Sequence, residues 1–206
     1  MDDKRQLIVT TARKIFIENG FMPSSMEDVA KLSGMGKASI YHYFESKDAL
    51  FHAVIDFEVE DMSTHILDKV KSGKSASEKL QLYIEAKFQR MRERFQDMKK
   101  FKMPLMQDLG DKYFVIMSKF GQRETEMLTG ILVHGITTGE FKQIDPLKIS
   151  QIMVTMFWGL QFSVFQQNCI DGFSKPTLDY AENQAKLCID TLLNGILQNQ
   201  NKQESN

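Results

Sequence analysis

Apolar residues recur along the first twenty positions at Ile8, Ala12, Ile15 and Phe16, the spacing of a single helix face, and the run stops at Asn19-Gly20. A second, short face follows in Val29, Ala30 and Leu32, with Ser24-Ser25 as N-cap candidates and Glu27 or Asp28 placed to complete a capping box. The pattern predicts helices over 26–33 and, past a glycine-containing turn at Gly34, over 37–43. Ser46 is then placed to cap a long helix with a stripe of Leu50, Val54 and Phe57, flanked by Phe51, Ile55, Met62 and Ile66, which breaks at residues 71–74.

From about Ser77 the residues Leu80, Ile84, Phe88, Met91 and Phe95 hold helical spacing, with Arg90, Glu93 and Arg94 away from the stripe. A helical segment is expected around Pro104 to Asp108, and another from about Lys112 to Thr138, where Gly121, Gly130 and Gly135 weaken its continuity. Asp145-Pro146 reads as the N-cap and first residue of a further helix. The last one spans about Thr177 to Leu197 on a stripe of Ala185, Ile189, Leu192, Leu193 and Ile196, extended by Leu187 and Cys188. All four prolines fall between these stretches, where a missing N–H does no harm. With no alternating pattern and no repeat, the fold class is all-α, and a boundary between a small N-terminal unit and a larger body falls within the long fourth helix.

Composition narrows the picture. The 206 residues are 42% hydrophobic and 26% charged, enough for one sizeable core or two small ones. Residues 149–170 carry no Asp, Glu, Lys or Arg, a length that could span a bilayer, but Gln151, Gln161, Gln166, Gln167 and Asn168 would be costly in lipid. That helix is therefore expected within protein, not membrane. Cys169 and Cys188 lie far apart without metal-type spacing, and no charged-then-apolar leader opens the chain, so the expected compartment is the cytoplasm, with no metal or cofactor. Net charge is −1, and residues 1–50 hold seven basic and seven acidic side chains, so charge alone does not advertise nucleic acid.

Two short helices joined by a glycine-containing turn match a helix-turn-helix, whose second helix enters the major groove of DNA. Four rings crowd its end, Tyr41, His42, Tyr43 and Phe44. On a helical wheel Ile40 and Phe44 share the core face, Ala38 and His42 point the opposite way, and Ser39 and Tyr41 flank them. Tyr41, His42 and Tyr43 are thus left on or near the surface with Lys37 and Lys47 at the ends, an arrangement suited to DNA. Packing tyrosines in an ordinary helical turn are the other reading of the same residues.

The stretch "TARKIFIENGFMPSSMEDVAKLSGMGKASIYHYFESKDALF" resembles the N-terminal domain of the TetR/AcrR family of transcriptional regulators. The shared pattern is an Ala-and-Phe first helix, Asn-Gly-Phe, a Ser/Thr pair, Asp-Ile/Val-Ala, a Gly turn and Tyr-x-x-Phe-x-x-Lys. Further on, "GEFKQIDPLKISQIMVTMFWGL" resembles the family's weaker C-terminal pattern. The resemblance implies a three-helix DNA-binding domain over 1–50, a ligand-binding and dimerisation helical domain over 51–197, and a polar tail over 198–206. It implies that Ser25 caps the second helix near a phosphate and that Lys37, Ser39, Tyr41, His42, Tyr43 and Lys47 contact DNA, Tyr41 and Lys47 mainly on the backbone. Two departures stand out: Gly36 occupies the place of the usual capping Ser, and Met26 brings no hydroxyl to the second helix's start.

The same resemblance implies a homodimer built from the last two helices of each subunit, double-stranded operator DNA as partner, and a small-molecule effector that releases the repressor through the fourth helix. The two-sided apolar pattern of the uncharged helix favours the four-helix interface independently, with Ile149, Ile152, Met153, Met156 and Leu160 on one side and Val154, Phe157, Trp158, Phe162 and Phe165 towards another. Thirteen Met and fifteen Phe suit an apolar or amphipathic effector, and Met117, His134, Phe157, Trp158 and Gln161 combine large apolar surface with polar tips as pocket candidates. Two other classes compete, an all-helical enzyme and a dimeric adaptor that binds no DNA. Against the enzyme, His42, His52, His65 and His134 show no Glu-x-x-His or His-x-x-x-His pairing, and no catalytic residue is expected.

Overall fold

A computed structural model describes residues 3–100, 112–171 and 175–197, with side chains described outside 94–100, 112–114, 116–117, 161–171 and 175–177. Among the described residues eight helices follow in order: α1 (Asp3–Asn19), α2 (Met26–Ser33), α3 (Lys37–Tyr43), α4 (Lys47–Val70), α5 (Ala76–Lys100), α6 (Lys112–Thr137), α7 (Pro146–Asp171) and α8 (Lys175–Ile196). The segment expected around Pro104 to Asp108 and the tail over 198–206 lie outside the described residues. Within α6, Gly121, Gly130 and Gly135 do not interrupt the helix. None of the helices, over the described residues, is long and apolar enough to cross a membrane.

The chain forms two compact units, one from Met1–Asp61 with Arg94–Phe120 and the other from Met62–Glu93 with Gly121–Asn206. The first unit thus extends past residue 50 into α4. Its core gathers Ile8, Val9, Ala12 and Ile15 of α1, Met26, Val29 and Ala30 of α2, Ile40 of α3, and Leu50 and Val54 of α4, with Phe44 between the last two helices. A second cluster of Phe21, Phe51, Ile55 and Val59 takes in Phe16 and Phe120 at its edge, with the Phe21 and Phe51 rings edge to face at 4.9 Å. Leu32, expected on the inward face of α2, is 53% exposed. The reason is that α2 has only two turns, and Val29 and Ala30 already fill its contact with α1 and α3.

In the second unit, α5, α6, α7 and α8 share a core that includes Leu80, Ile84, Phe88, Leu128, Leu132, Met153, Phe157, Ala185 and Ile189. Leu187, expected to extend the stripe of α8, is instead 59% exposed. Ion pairs join α5 to α8 outside this core: Arg92 pairs with Glu182 and Asp179, and Lys186 reaches Glu85 at 3.4 Å while it also pairs with Glu182 on its own helix at 2.9 Å.

The turn after α6 closes the unit through a long-range cap. Glu140 accepts the Ala76 and Ser77 amides at 2.7 and 2.9 Å, so the first turn of α5 is satisfied by a residue more than sixty positions away. Next to it, Phe141 is buried and pairs in an isolated bridge with Leu197, and the Lys142 amide and ammonium donate to the carbonyls of Ile196 and Gly195. The Gly-Glu-Phe-Lys stretch therefore ties the ends of α5, α6 and α8 together.

Partial burial raises the Glu140 carboxyl, but hydrogen bonds from Ser77 and Ala76, helped by the nearby His134, outweigh it and hold it below the ordinary carboxylate range. A depressed carboxylate stabilises the fold above its unfolded pKa of about 4.3 and stops doing so as pH falls through the lower folded value. Replacing Glu140 by Gln is expected to cost about 1 kcal/mol at pH 7, the usual scale of a lost helix cap. Thermal melts at pH 7 and below pH 4 check this: the gap between E140Q and the wild type closes in acid.

Candidate nucleic-acid interface

The first unit positions its surface from the caps outward. Ser25 completes a full capping box at the start of α2: its hydroxyl accepts the Asp28 amide at 3.2 Å and donates to the Asp28 carboxylate at 2.6 Å, and its own amide reaches the same carboxylate at 2.8 Å. The side-chain hydrogen bond from Ser25, followed by the backbone one, holds the Asp28 carboxyl below its usual range. Of the two candidates for the far end of the box, Asp28 fills it, not Glu27. At the other end Gly34 turns the chain with φ of 67°, a left-handed conformation that L side chains rarely adopt, and the Met35 amide returns to the Ala30 carbonyl at 3.0 Å.

Helix α3 starts without a side-chain cap. Gly36 has φ of −68° and ψ of 145°, ordinary extended backbone, and a Cβ added there would meet nothing nearer than the Ser39 hydroxyl at 3.9 Å. The backbone at residue 36 therefore accepts a side chain.

Each sequence-predicted contact has a definite place. Ile40 and Phe44 are buried, as the wheel requires. Lys37, Ser39, Tyr41 and His42 are exposed on the opposite and flanking faces, Tyr41 by 45%. Lys37 forms an exposed ion pair with Glu27 at 3.2 Å, a contact weak enough in water to be exchanged for another anion. Tyr43 is half-buried, packed against the core of the unit, with the His42 ring edge to face at 5.5 Å. It thus belongs more to the support of α3 than to its outer face.

Lys47, the first residue of α4, is half-buried. Its ammonium donates to the carbonyls of Met22 and Ser24 at 3.1 and 2.7 Å and lies 4.3 Å from the centre of the Phe21 ring. It fastens the start of α4 to the loop between α1 and α2. Ser46, meanwhile, caps α4 by accepting the Ala49 amide at 3.0 Å. A cation that the sequence reading passed over is Arg5, whose guanidinium lies 4.9 Å from the centre of the Phe44 ring, beside the end of α3. Only tertiary contact could bring residues 5 and 44 together.

Among the pocket candidates, Phe157 is fully buried, and Trp158 donates its indole N–H to Glu124 at 3.2 Å. His134 lies elsewhere on α6, close enough to Glu140 to lower its carboxyl. The side chains of Met117 and Gln161 lie outside the described residues. A polar cleft on α5 and α8, lined by Gln81, Ile84, Glu85, Lys186, Ile189 and Asp190, contains none of the five.

Comparison with known proteins finds family models that match residues in both units. Residues 8–54 match the family model described as "Bacterial regulatory proteins, tetR family", and residues 76–171 match "Tetracyclin repressor-like, C-terminal domain". The HTH-type transcriptional regulator YuxN of Bacillus subtilis, itself uncharacterized, is 33% identical over 75 residues, 36% of this chain and 26% of that protein. A second uncharacterized HTH-type regulator of the same organism, YfiR, is 23% identical over 202 residues, 93% of each chain. The crystal structure of a transcriptional regulator from Cytophaga hutchinsonii is similar with a TM-score of 0.73 and 27% identity, covering 96% of this chain and all of that one.

Lys37 and Lys47 are expected to separate in experiment. Lys37→Ala leaves the melting temperature unchanged and lowers the salt slope of DNA binding by about 1, the effect of one lost phosphate contact. Lys47→Met keeps the stem over Phe21, removes the two carbonyl contacts, and lowers the melting temperature while the salt slope stays. A Ser at position 36 is expected to stabilise by a few tenths of a kcal/mol, the gain of Ser over Gly at an N-cap, read as a higher denaturant midpoint.

Proposed function

The chain belongs to the tetR family of bacterial regulatory proteins, and from that premise we propose that this DNA-binding transcriptional regulator is a homodimeric repressor, released from double-stranded operator DNA by a small-molecule effector. Members of this family are transcriptional regulators, not enzymes. The observation that carries the reading is the division of α3: Ile40 and Phe44 anchor it, while Lys37, Ser39, Tyr41 and His42 present donors, acceptors and rings on the exposed side. That is the face a recognition helix offers to base edges and phosphates. Tyr43, packed against the core of the unit, supports it from behind.

The last two helices support a dimer. Leu147 and Ile152 of α7 are 50% and 53% exposed, and Tyr180 and Leu187 of α8 are 62% and 59% exposed. Large apolar side chains left open on both helices suit a four-helix contact between two copies, which also brings two recognition helices to half-sites roughly 34 Å, or a multiple of it, apart. A dimer seated in successive major grooves excludes other proteins from the same DNA, hence repression.

The effector is apolar or amphipathic and binds in the second unit, where Phe157 and Trp158 lie. It favours a conformation with wrongly spaced recognition helices, and DNA affinity falls by the coupling free energy, typically about 1–3 kcal/mol. Helix α6 supplies Phe120 to the core of the first unit and Gly121 and Glu124 to the second, so α6 is a route for the coupling beside α4.

Two measurements test this. Sedimentation of the wild type is expected to give a dimer and Leu187→Glu a folded monomer with greatly weakened operator binding; a monomeric wild type overturns the dimer. In a mobility-shift assay with a genomic fragment selected by the protein, cell extract or candidate effectors are expected to release the DNA. Release by none of them, with ligand bound, overturns the effector reading.

A further inference from the structure

The second unit buries a charge pair between α5 and α6. Lys87 on α5 is 3% exposed and Glu124 on α6 9% exposed, and the two form a salt bridge. Two further donors converge on the same carboxylate, the Tyr83 hydroxyl at 2.8 Å and the Trp158 indole at 3.2 Å. Replacing a buried ion pair by apolar residues of similar size is often neutral or stabilising, so packing alone gives no reason for this one.

The two partners differ in how far they are satisfied. Glu124 accepts three hydrogen bonds. Lys87 has three N–H donors, and among the described residues the carboxylate of Glu124 is its one hydrogen-bond acceptor. Its ammonium lies 5.8 Å from the centre of the Tyr83 ring and 5.5 Å from that of Phe157. Those faces temper the charge but offer no oxygen to the remaining donors.

Charge balance then selects the chemistry that can join the cluster. Lys87 and Glu124 already neutralise each other, and a further net charge brought into a buried site would carry its own desolvation penalty with no counter-ion left to offset it. An acceptor oxygen on an uncharged molecule meets the spare donors without that penalty. Burial, followed by the charge of Glu124 and its hydrogen bond, pushes the Tyr83 hydroxyl well above its ordinary range, so Tyr83 stays a donor to Glu124. On α6, Gly121 lies against the Trp158 ring so closely that any Cβ there would collide with it, which fixes the indole one turn from Glu124.

Resting on the effector reading above, we propose that Lys87 is the recognition point for an uncharged, largely aromatic effector bearing a carbonyl oxygen, with Glu124 orienting the ammonium and Tyr83, Phe157 and Trp158 supplying the apolar walls. Bound there, such a molecule would compete with the aromatic faces for the ammonium and change the bonds that Glu124 makes to α5 and α7.

Trp158 is the sole tryptophan of the chain, so its indole N–H gives one signal in a nitrogen-15 correlation spectrum. The full chain is titrated with acetophenone, and with ethylbenzene and benzoate as matched probes that lack the oxygen or carry a charge. Acetophenone is expected to shift the indole signal saturably and to bind about fivefold to tenfold more tightly than either comparator, the scale of one hydrogen bond. The double variant Lys87→Met with Glu124→Gln keeps one amide oxygen for the Trp158 indole and turns an amide NH2 to the Tyr83 hydroxyl, which can accept from it; its thermal melt verifies folding, and there the preference for acetophenone over ethylbenzene disappears. Tighter binding of benzoate, retention of the ketone preference in the folded double variant, or no saturable shift with acetophenone overturns the proposal. If cell extract still releases the operator in any of those cases, only the ligand chemistry has failed; if no extract or effector releases it, the effector reading itself has failed.

Discussion

A seven-residue helix does not hold its shape alone in water, because nucleating the first turn costs more than so few hydrogen bonds return. Helix α3 is that short, and two side chains from a single face hold it: Ile40, fully buried, and Phe44, nearly so. Each contributes about 1.5–3 kcal/mol on burial, against the same core that α1, α2 and α4 build. The rest of the DNA-binding unit serves that attachment. Gly34 sets the turn into α3, and the Ser25–Asp28 box fixes the start of α2. Lys47 pins the start of α4 to the loop between α1 and α2. With its inner face committed, α3 is free to present polar groups and rings on its outer face without destabilising itself.

The second unit solves a different problem. Its helices are long enough to stand on packing, and what needs accommodation is polarity inside an apolar bundle. Glu140 satisfies amides at the start of α5, and Glu124 gathers donors from α5 and α7 around one carboxylate. In both places an acidic group on or just after α6 organises a neighbouring helix. The two differ in exposure and therefore in consequence: Glu140 remains partly solvated and acts as a cap, while the Lys87–Glu124 pair is withdrawn from water, where a change of partner is felt strongly.

Much of this was legible in the chain. Apolar spacing located the helices within a few residues, and the wheel of 37–44 separated Ile40 and Phe44 from the outward side. Other signals were present but went unread. Lys87 stands seven residues after Leu80 and three after Ile84, on the very stripe that defines α5, and Glu124 stands one helical turn before the buried Leu128 of α6. A charged residue on an apolar stripe is a buried charge in need of a partner. Leu32 and Leu187 erred in the other direction, since apolar character alone does not say which of two faces a helix will bury.

The sequence by itself determined the all-helical class, the turn geometry that requires Gly34, and the amphipathic faces, because these depend on neighbours within one or two helical turns. The tertiary structure decided which polar groups are spent and which remain available. Lys47 reads as a surface cation and proves to be bound to two carbonyls; Tyr43 reads as a contact and lies half in the core; Glu140, just past the end of α6, caps a helix far away in sequence. Those outcomes turn on distances between residues remote along the chain, and a side chain's chemistry is set by whichever partner the fold brings within about 3 Å of it.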